Sequence, residues 1–338
     1  MPRAVYACII VLCCLWPLRC MSEPVVIKFA TLAPEGTPWM EIMEDMNQEL
    51  QRQSNGQLAF RFYAGGVAGD ERDVIRKMRI NQLQGGAFSG FGLGDILPQL
   101  RVLELPRLFR DAAEANHVAT ALFDHFAAGF ADKSYILLSL NEAGAVYIFS
   151  RRPIASAADM ARSKIWIWQG DPLPEAIFKA YGIAPVPLSL PNVLPSLQAG
   201  LIDACYGTPL TVLALQWFTK VTYRTEIPIT RVMGAFLISK HLWQQLASTQ
   251  QELLRTTVQR YSSKAASTMQ RYDDKALALL QATAGLETVL VPEAEATRIE
   301  AVSWQVRQDL VGQLYPQTLL DRVLELRNQY RKQHNGAN

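Results

Sequence analysis

Residues 249–282 carry one unbroken helical period. Val258, Tyr261, Ala265, Met269, Tyr272, Ala276 and the pair Leu279/Leu280 recur at the spacing that places apolar side chains on one stripe of a helix. At 1.5 Å of rise per residue such a helix runs roughly 50 Å, which exceeds one small domain. It either lies across two domains and ties them together, or pairs with a second chain.

The length of 338 residues suits two packed domains or one large one. With 49% hydrophobic and 19% charged residues the chain can build a folded core. A net charge of +2, with no basic run interleaved with aromatics, argues against a nucleic-acid binder. The N-terminus differs from the rest. Arg3, an apolar run from Ala4 to Leu18, and then small and polar residues follow the order of a secretory signal peptide, and the run is short for a membrane span. Residues 1–22 are therefore expected to be removed and the mature chain to be periplasmic. An uncleaved anchor and a lipid-modified Cys20 are the alternatives; Arg19 stands where a small residue usually precedes a lipidated cysteine. Cys8, Cys13, Cys14 and Cys20 lie in or beside this segment. Cys205 then has no partner for an internal disulfide and reads as a small buried hydrophobe.

Beyond the leader the pattern alternates. VVIKFATL (25–32) reads as a buried strand, and Thr37-Pro38 starts a helix with Met40, Met43, Met46 and Leu50 on one face and Asn55-Gly56 at its end. LAFRFY (58–63) is a strand, and Gly69-Asp70 opens a helix through Val74, Ile75 and Met78. This order favours a parallel sheet covered by helices. GGAFSGFGLGD (85–95) lacks the GxGxxG order and shows no clear helix start, so it reads as a strand end and loop where backbone closely approaches something, with a ligand as one candidate. SYILLSLNEAGAVYIFS (134–150) has the length of two strands with a bend near Gly144. KIWIW, the helix PEAIFKAYG, extended IAPVPLSL, the helix NVLPSLQAG, and LIDACYGTPL as a strand running into a loop repeat the strand–helix logic. The expectation is an α/β fold of two domains: 24–147 with 235–262, 148–234 with 263–300, and C-terminal helices over 301–338 packed on both.

Within KIWIWQG (164–170), strand alternation points Trp166 and Trp168 to one face and Ile165 and Ile167 to the other. The indole face is either core or the wall of a pocket.

NGQLAFRFYAGGVAGDERDVIRKMR, VLELPRLFRD (102–111), SRRPIASAADMARSKIW and YGIAPVPLSLPNVLPSLQAGLIDACYG, in this order and spacing, resemble the successive landmarks of the solute-binding proteins of TRAP transporters, the DctP type. The resemblance covers nearly the whole mature chain. It implies a two-domain periplasmic-binding-protein clamshell with a long helix spanning both domains. It also implies a TRAP membrane permease as the partner that receives the ligand, and organic carboxylates as the usual cargo. In the family an arginine on the strand matching KIWIW grips the carboxylate with two parallel bonds; that position here is Trp166. A second arginine, usual after the glycine matching Gly144, is replaced by Val146, and the acidic or amide positions after the LQxGxxD turn appear as Cys205, Tyr206 and Gly207.

This departure predicts a cleft lined by Trp166, Trp168, Val146, Tyr206 and Thr208, with Ser89, Phe91, Leu32 and Trp39 from strand ends of the first domain. Such a cleft suits a small hydrophobic molecule, with indole faces supplying area and indole N–H groups a polar handle. A carboxylate buried there without a partner costs several kcal/mol, an order of magnitude taken from transfer data. The counter-reading keeps a carboxylate ligand and relocates the cation to Arg151 or Arg152. A subgroup of these receptors is associated with periplasmic helical-repeat (TPR) proteins, and this chain resembles that subgroup in its apolar pocket strand. Trp217 and Trp243 read as core or hinge packing.

Catalysis finds little support. His117, His125, His241 and His334 fall in no metal-binding spacing, with His117 and His125 placed eight apart on one helix. There is no GxSxG, and Glu41/Glu44 and Asp273/Asp274 read as solvated helix faces. No cofactor or metal is implied. A docking protein without a small-molecule ligand is the remaining rival.

Overall fold

The computed structural model describes residues 23–334; the expected leader, with Cys20, lies outside them. Strands β1 (Val25–Ala30), β2 (Leu58–Tyr63) and β3 (Gly85–Ser89) are parallel, separated by the helices Pro38–Gln53 and Glu71–Arg79. Thr37 caps the first helix through its side chain, and Asp70 with Asp73 forms a capping box on the second. Met40, Met43, Met46 and Leu50 are all buried, the last three against Ile27, Phe29 and Phe60 of the sheet.

β4 (Tyr135–Ser150) organises the rest. It is one strand of 16 residues rather than two. Register shifts between Leu137 and Ser139 and between Glu142 and Ala145 let it bend without breaking, and Gly144 at the second shift takes φ +132°, a conformation open to glycine. Further along come β5 (Trp166–Trp168), β6 (Val186–Leu188), β7 (Ala204–Gly207), β8 (Tyr223–Thr225), β9 (Thr230–Ser239) and β10 (Glu287–Val289). Residues 135–146 of β4 pair antiparallel with β9, which in turn pairs with β3, so the first half reads β2-β1-β3-β9-β4. Residues 147–150 of β4 instead pair with β7 and β8, and β10 joins β8 in parallel. β4 thus runs out of one half of the molecule into the other. β5 and β6 form a short parallel pair linked to the second half through an Ile165–Ala204 bridge.

The long helix spans Ser248–Ala284. Leu254 and Val258 pack with Ile42, Met43 and Phe236 of the first half, whereas Leu280 packs with Trp217 and Val221 of the second. Both ends are therefore fixed to different cores of the same chain. The helix Glu293–Asp309 with the Leu310 that ends it, and the helix Gln317–His334, add Val306, Leu310, Leu320 and Val323 to the core that contains Leu103 and Val118.

Three local expectations need correction. Residues 85–95 are a strand followed by the helix Gly90–Ile96, whose cap is Ser89. The stretch holding His117 and His125 is two helices, Ala112–Ala121 and Phe123–Asp132, separated at Leu122. After β7 the chain enters the helix Pro209–Ala214, capped by the Thr208 hydroxyl and started by a proline, instead of a loop.

Candidate functional site

Alternation along β5 separates its two faces as expected. Ile165 and Ile167 enter a cluster with Ile154 and Phe178, while Trp166 and Trp168 join Phe149, Cys205 and Trp217. The indole face borders a cavity of about 380 Å³ between the two halves, within the range of small-molecule sites. Trp166, Trp168, Val146, Tyr206, Thr208, Ser89, Phe91, Leu32 and Trp39 all line it. Trp217 lines it too, although its side chain is otherwise core.

The aromatic wall is tightly arranged. Trp166 stacks on Tyr206 with ring centroids 4.8 Å apart, meets Trp217 edge-on at 5.6 Å, and leans on Trp168 at 5.8 Å. The indole N–H groups are not free handles, contrary to expectation. Trp166 Nε1 donates to the Leu188 carbonyl of β6 (3.0 Å), and Trp168 Nε1 donates to Asp70 Oδ2 (2.9 Å). The cavity therefore sees mainly ring carbon from these two residues.

Asp70 belongs to the first half and Trp168 to the second, so that bond crosses the cleft. Several neighbouring contacts do the same. Asp70 Oδ2 also accepts from Leu190 N (3.3 Å), Arg72 donates to the carbonyls of Gln169 (3.2 Å) and Gly170 (3.1 Å), and Phe91 stacks on Trp168 at 4.7 Å. The structure is a closed cleft, held from side chain to backbone across its mouth.

The charged lining was not anticipated. Glu71, Glu104, Glu142 and Asp171 border the cavity, and among the described residues that line it Arg101 is the one cation. Arg101 Nη1 is paired with Glu104, and its Nη2 donates to both oxygens of Asp171 (2.9 and 3.1 Å). All three side chains are buried. Burial pushes the carboxyls of Glu104 and Asp171 up, with Arg101 opposing. With both acids ionised the trio carries one negative charge, and with one protonated it is neutral. In neither state does Arg101 have positive charge to spare.

Glu71 sits at the start of the helix Gly90–Ile96 and accepts from Ser89 N (2.8 Å), Gly92 N (2.6 Å) and Ser89 Oγ (3.1 Å). Its carboxyl is nonetheless pushed up to about 8, burial outweighing these bonds. The glycines of GGAFSGFGLGD make room for this network. A Cβ at Gly90 would overlap the Glu104 carboxylate, one at Gly92 the Glu71 carboxylate, and one at Gly94 would stand 2.6 Å from Arg101 Cδ. What the backbone approaches is the protein's own charged side chains, which replaces the suggestion of a ligand there.

Arg151 and Arg152 do not take over as a relocated cation. Arg151 donates to the backbone carbonyls of Leu197 and Lys220, and neither arginine lines the cavity. Glu142 faces Arg231 at 3.1 Å. Asp273 is not on a solvated face: it accepts from Leu210 N (2.8 Å), and burial pushes its carboxyl up to about 6. The available clue to the missed network is LRVLEL (100–105), where an arginine and a glutamate three apart interrupt an apolar run.

The model of the DctP family, bacterial extracellular solute-binding protein family 7, matches residues 29–311. The 2,3-diketo-L-gulonate-binding periplasmic protein YiaO of Escherichia coli K12 is 25% identical over 217 residues, 61% of this chain and 66% of that protein. The chain spans about two thirds of the length of curated relatives such as this one. A TRAP periplasmic solute-binding protein from Pseudomonas putida F1, solved with D-glucuronate, superposes with a TM-score of 0.80 at 25% identity, covering 88% of this chain and 96% of that one. The sugar-acid-binding protein DctPAm of Advenella mimigardefordensis, solved with galactonate, gives a TM-score of 0.84 at 18% identity, covering 91% and 99%.

Proposed function

The chain belongs to the DctP family of bacterial extracellular solute-binding proteins, receptors rather than enzymes, and we propose that within it this receptor carries a small, largely apolar molecule. The cargo would sit against Trp166, Trp168, Tyr206, Val146 and Phe91 and be handed to a TRAP membrane permease. The observation that carries this reading is that Arg101, the one arginine among the described lining residues, is already shared by Glu104 and Asp171, with Glu142 paired to Arg231 and Glu71 pushed up by burial, so no lining cation is left for an acid. With both acids of the trio ionised, an added carboxylate about 4 Å from its net negative charge meets roughly 4 kcal/mol of repulsion at an effective dielectric constant near 20; with one of them protonated, the acid finds no positive charge to pair with. Apolar surface removed from water contributes about 25 cal/mol per Å² in the favourable direction. Burial of about 150 Å² on an apolar ligand thus supplies about what an acid would lose.

Relatives solved with D-glucuronate and galactonate make acids the natural competing reading. Calorimetric titration decides between them. The expected result is no binding of D-glucuronate, galactonate or succinate and measurable binding within a series of medium-chain alcohols; micromolar binding of any of the acids overturns the proposal. A periplasmic TPR protein would be a further acceptor for cargo poorly soluble in water, tested by co-purification from the native periplasm.

A further inference from the structure

Arg101 and Asp171 come from opposite sides of the cleft. Arg101 lies on the turn of helix Pro98–Glu104 in the first half, and Asp171 caps the helix Pro172–Ala180 in the second. Asp171 presents both oxygens to one guanidinium nitrogen at 2.9 and 3.1 Å while Oδ1 also accepts from Leu173 N (3.1 Å). Glu104 is held independently, its Oε1 accepting from Met233 N (2.6 Å). Arg101 and Glu104 both belong to the helix Pro98–Glu104, so this pair does not cross the cleft. In this closed cleft Asp171 reaches Arg101 from the other half. Arg101 Nε has no hydrogen-bond partner among the described residues although the side chain is buried.

We propose that Asp171 is a built-in carboxylate that occupies Arg101, the one cation among the described lining residues, in the closed cleft, so that it determines specificity by excluding acidic solutes. The proposal rests on the apolar-cargo reading and names the residue responsible. An acidic solute entering the cleft would have to displace Asp171 from Arg101, leaving that aspartate buried without its partner, or else remain unpaired itself; both cost binding. Removing the aspartate frees the space of one carboxyl beside Arg101 and returns the Arg101–Glu104 pair to neutrality, so an outside carboxylate would then restore the native charge set. The apolar walls are untouched by that change, which makes an acid with a hydrocarbon tail the appropriate probe.

Asp171→Ser retains a capping oxygen for Leu173 N and opens the space; Asp171→Asn retains cap and shape while removing the charge. Hexanoate is titrated calorimetrically into wild type and both variants, with circular dichroism as the check on folding. Asp171→Ser should bind hexanoate at least tenfold more tightly than wild type, and acetate should raise its Tm saturably while leaving that of wild type unchanged. Folded variants of either kind without any gain in hexanoate affinity overturn the role assigned to Asp171 and leave the apolar-cargo reading standing. Binding of D-glucuronate by the unsubstituted protein overturns both.

Discussion

Trp168 makes two side-chain contacts across the cleft. It stacks on Phe91 at 4.7 Å and 23°, and its Nε1 donates to Asp70 at 2.9 Å, both partners lying across the cleft. An aromatic pair contributes about 0.5–1.5 kcal/mol beyond burial. The bond to Asp70 is charge-assisted, but Trp168 is only half-buried, so about 1 kcal/mol is the appropriate share of the usual range. Trp168→Ala then loses about 1.5–2.5 kcal/mol from the closed form, or about 10- to 70-fold in the closing equilibrium. Trp168→Phe keeps the stack and loses the N–H, for about 1 kcal/mol and about fivefold. The Leu190 amide reports closure directly, because it donates to Asp70 across the cleft. Hydrogen exchange at Leu190 should accelerate by these factors, in the order Ala above Phe above wild type, while the Leu237 amide in the central sheet stays protected. Unchanged Leu190 protection in Trp168→Ala would refute a contribution of Trp168 to closure.

Other consequences follow from the buried charges. Glu71, pushed up to about 8 by burial, holds its proton in the folded protein over a range where the unfolded chain has lost it. Its contribution therefore falls as pH rises from about 4.5 to about 8; Glu71→Gln should flatten that part of the stability profile in urea unfolding. Gly90→Ala places a methyl group onto the Glu104 carboxylate and should lower unfolding free energy by about 1–3 kcal/mol, the usual range for overpacking, read by chemical denaturation. The Cys205 thiol is buried, and burial pushes it well above its ordinary range; it should react with a thiol reagent only on unfolding, giving one slow phase that denaturant accelerates.

Much of the architecture is legible in periodicity. The helical stripe ending at Leu280, the methionine face of residues 40–46 and the two-faced strand at Trp166 each follow from spacing and a cap, because one face of each is buried against a large core. The turn into the helix Gly90–Ile96 is not legible: its glycines are there for the volume of Glu71, Glu104 and Arg101, three side chains distant in sequence. The same holds for the site. The aromatic lining could be read from its strand, since alternation fixes which way a side chain points. The trio Arg101, Glu104 and Asp171 could not, because Asp171 reaches Arg101 across 70 residues of chain. Each of these ionisable groups taken alone looks like a surface residue. The bonds of the indole N–H groups are not legible for a related reason: their acceptors, Leu188 and Asp70, lie on other segments of the chain.

The central claim is that this cleft holds an apolar molecule where family relatives hold acids. Denaturing solvent extraction of the protein purified from its native periplasm, followed by mass spectrometry of what is released, tests it most directly. A neutral, largely hydrocarbon molecule in near-stoichiometric amount is the predicted result. A sugar acid or dicarboxylate in that amount would contradict it, and would mean that Arg101 gives up Asp171 for its ligand.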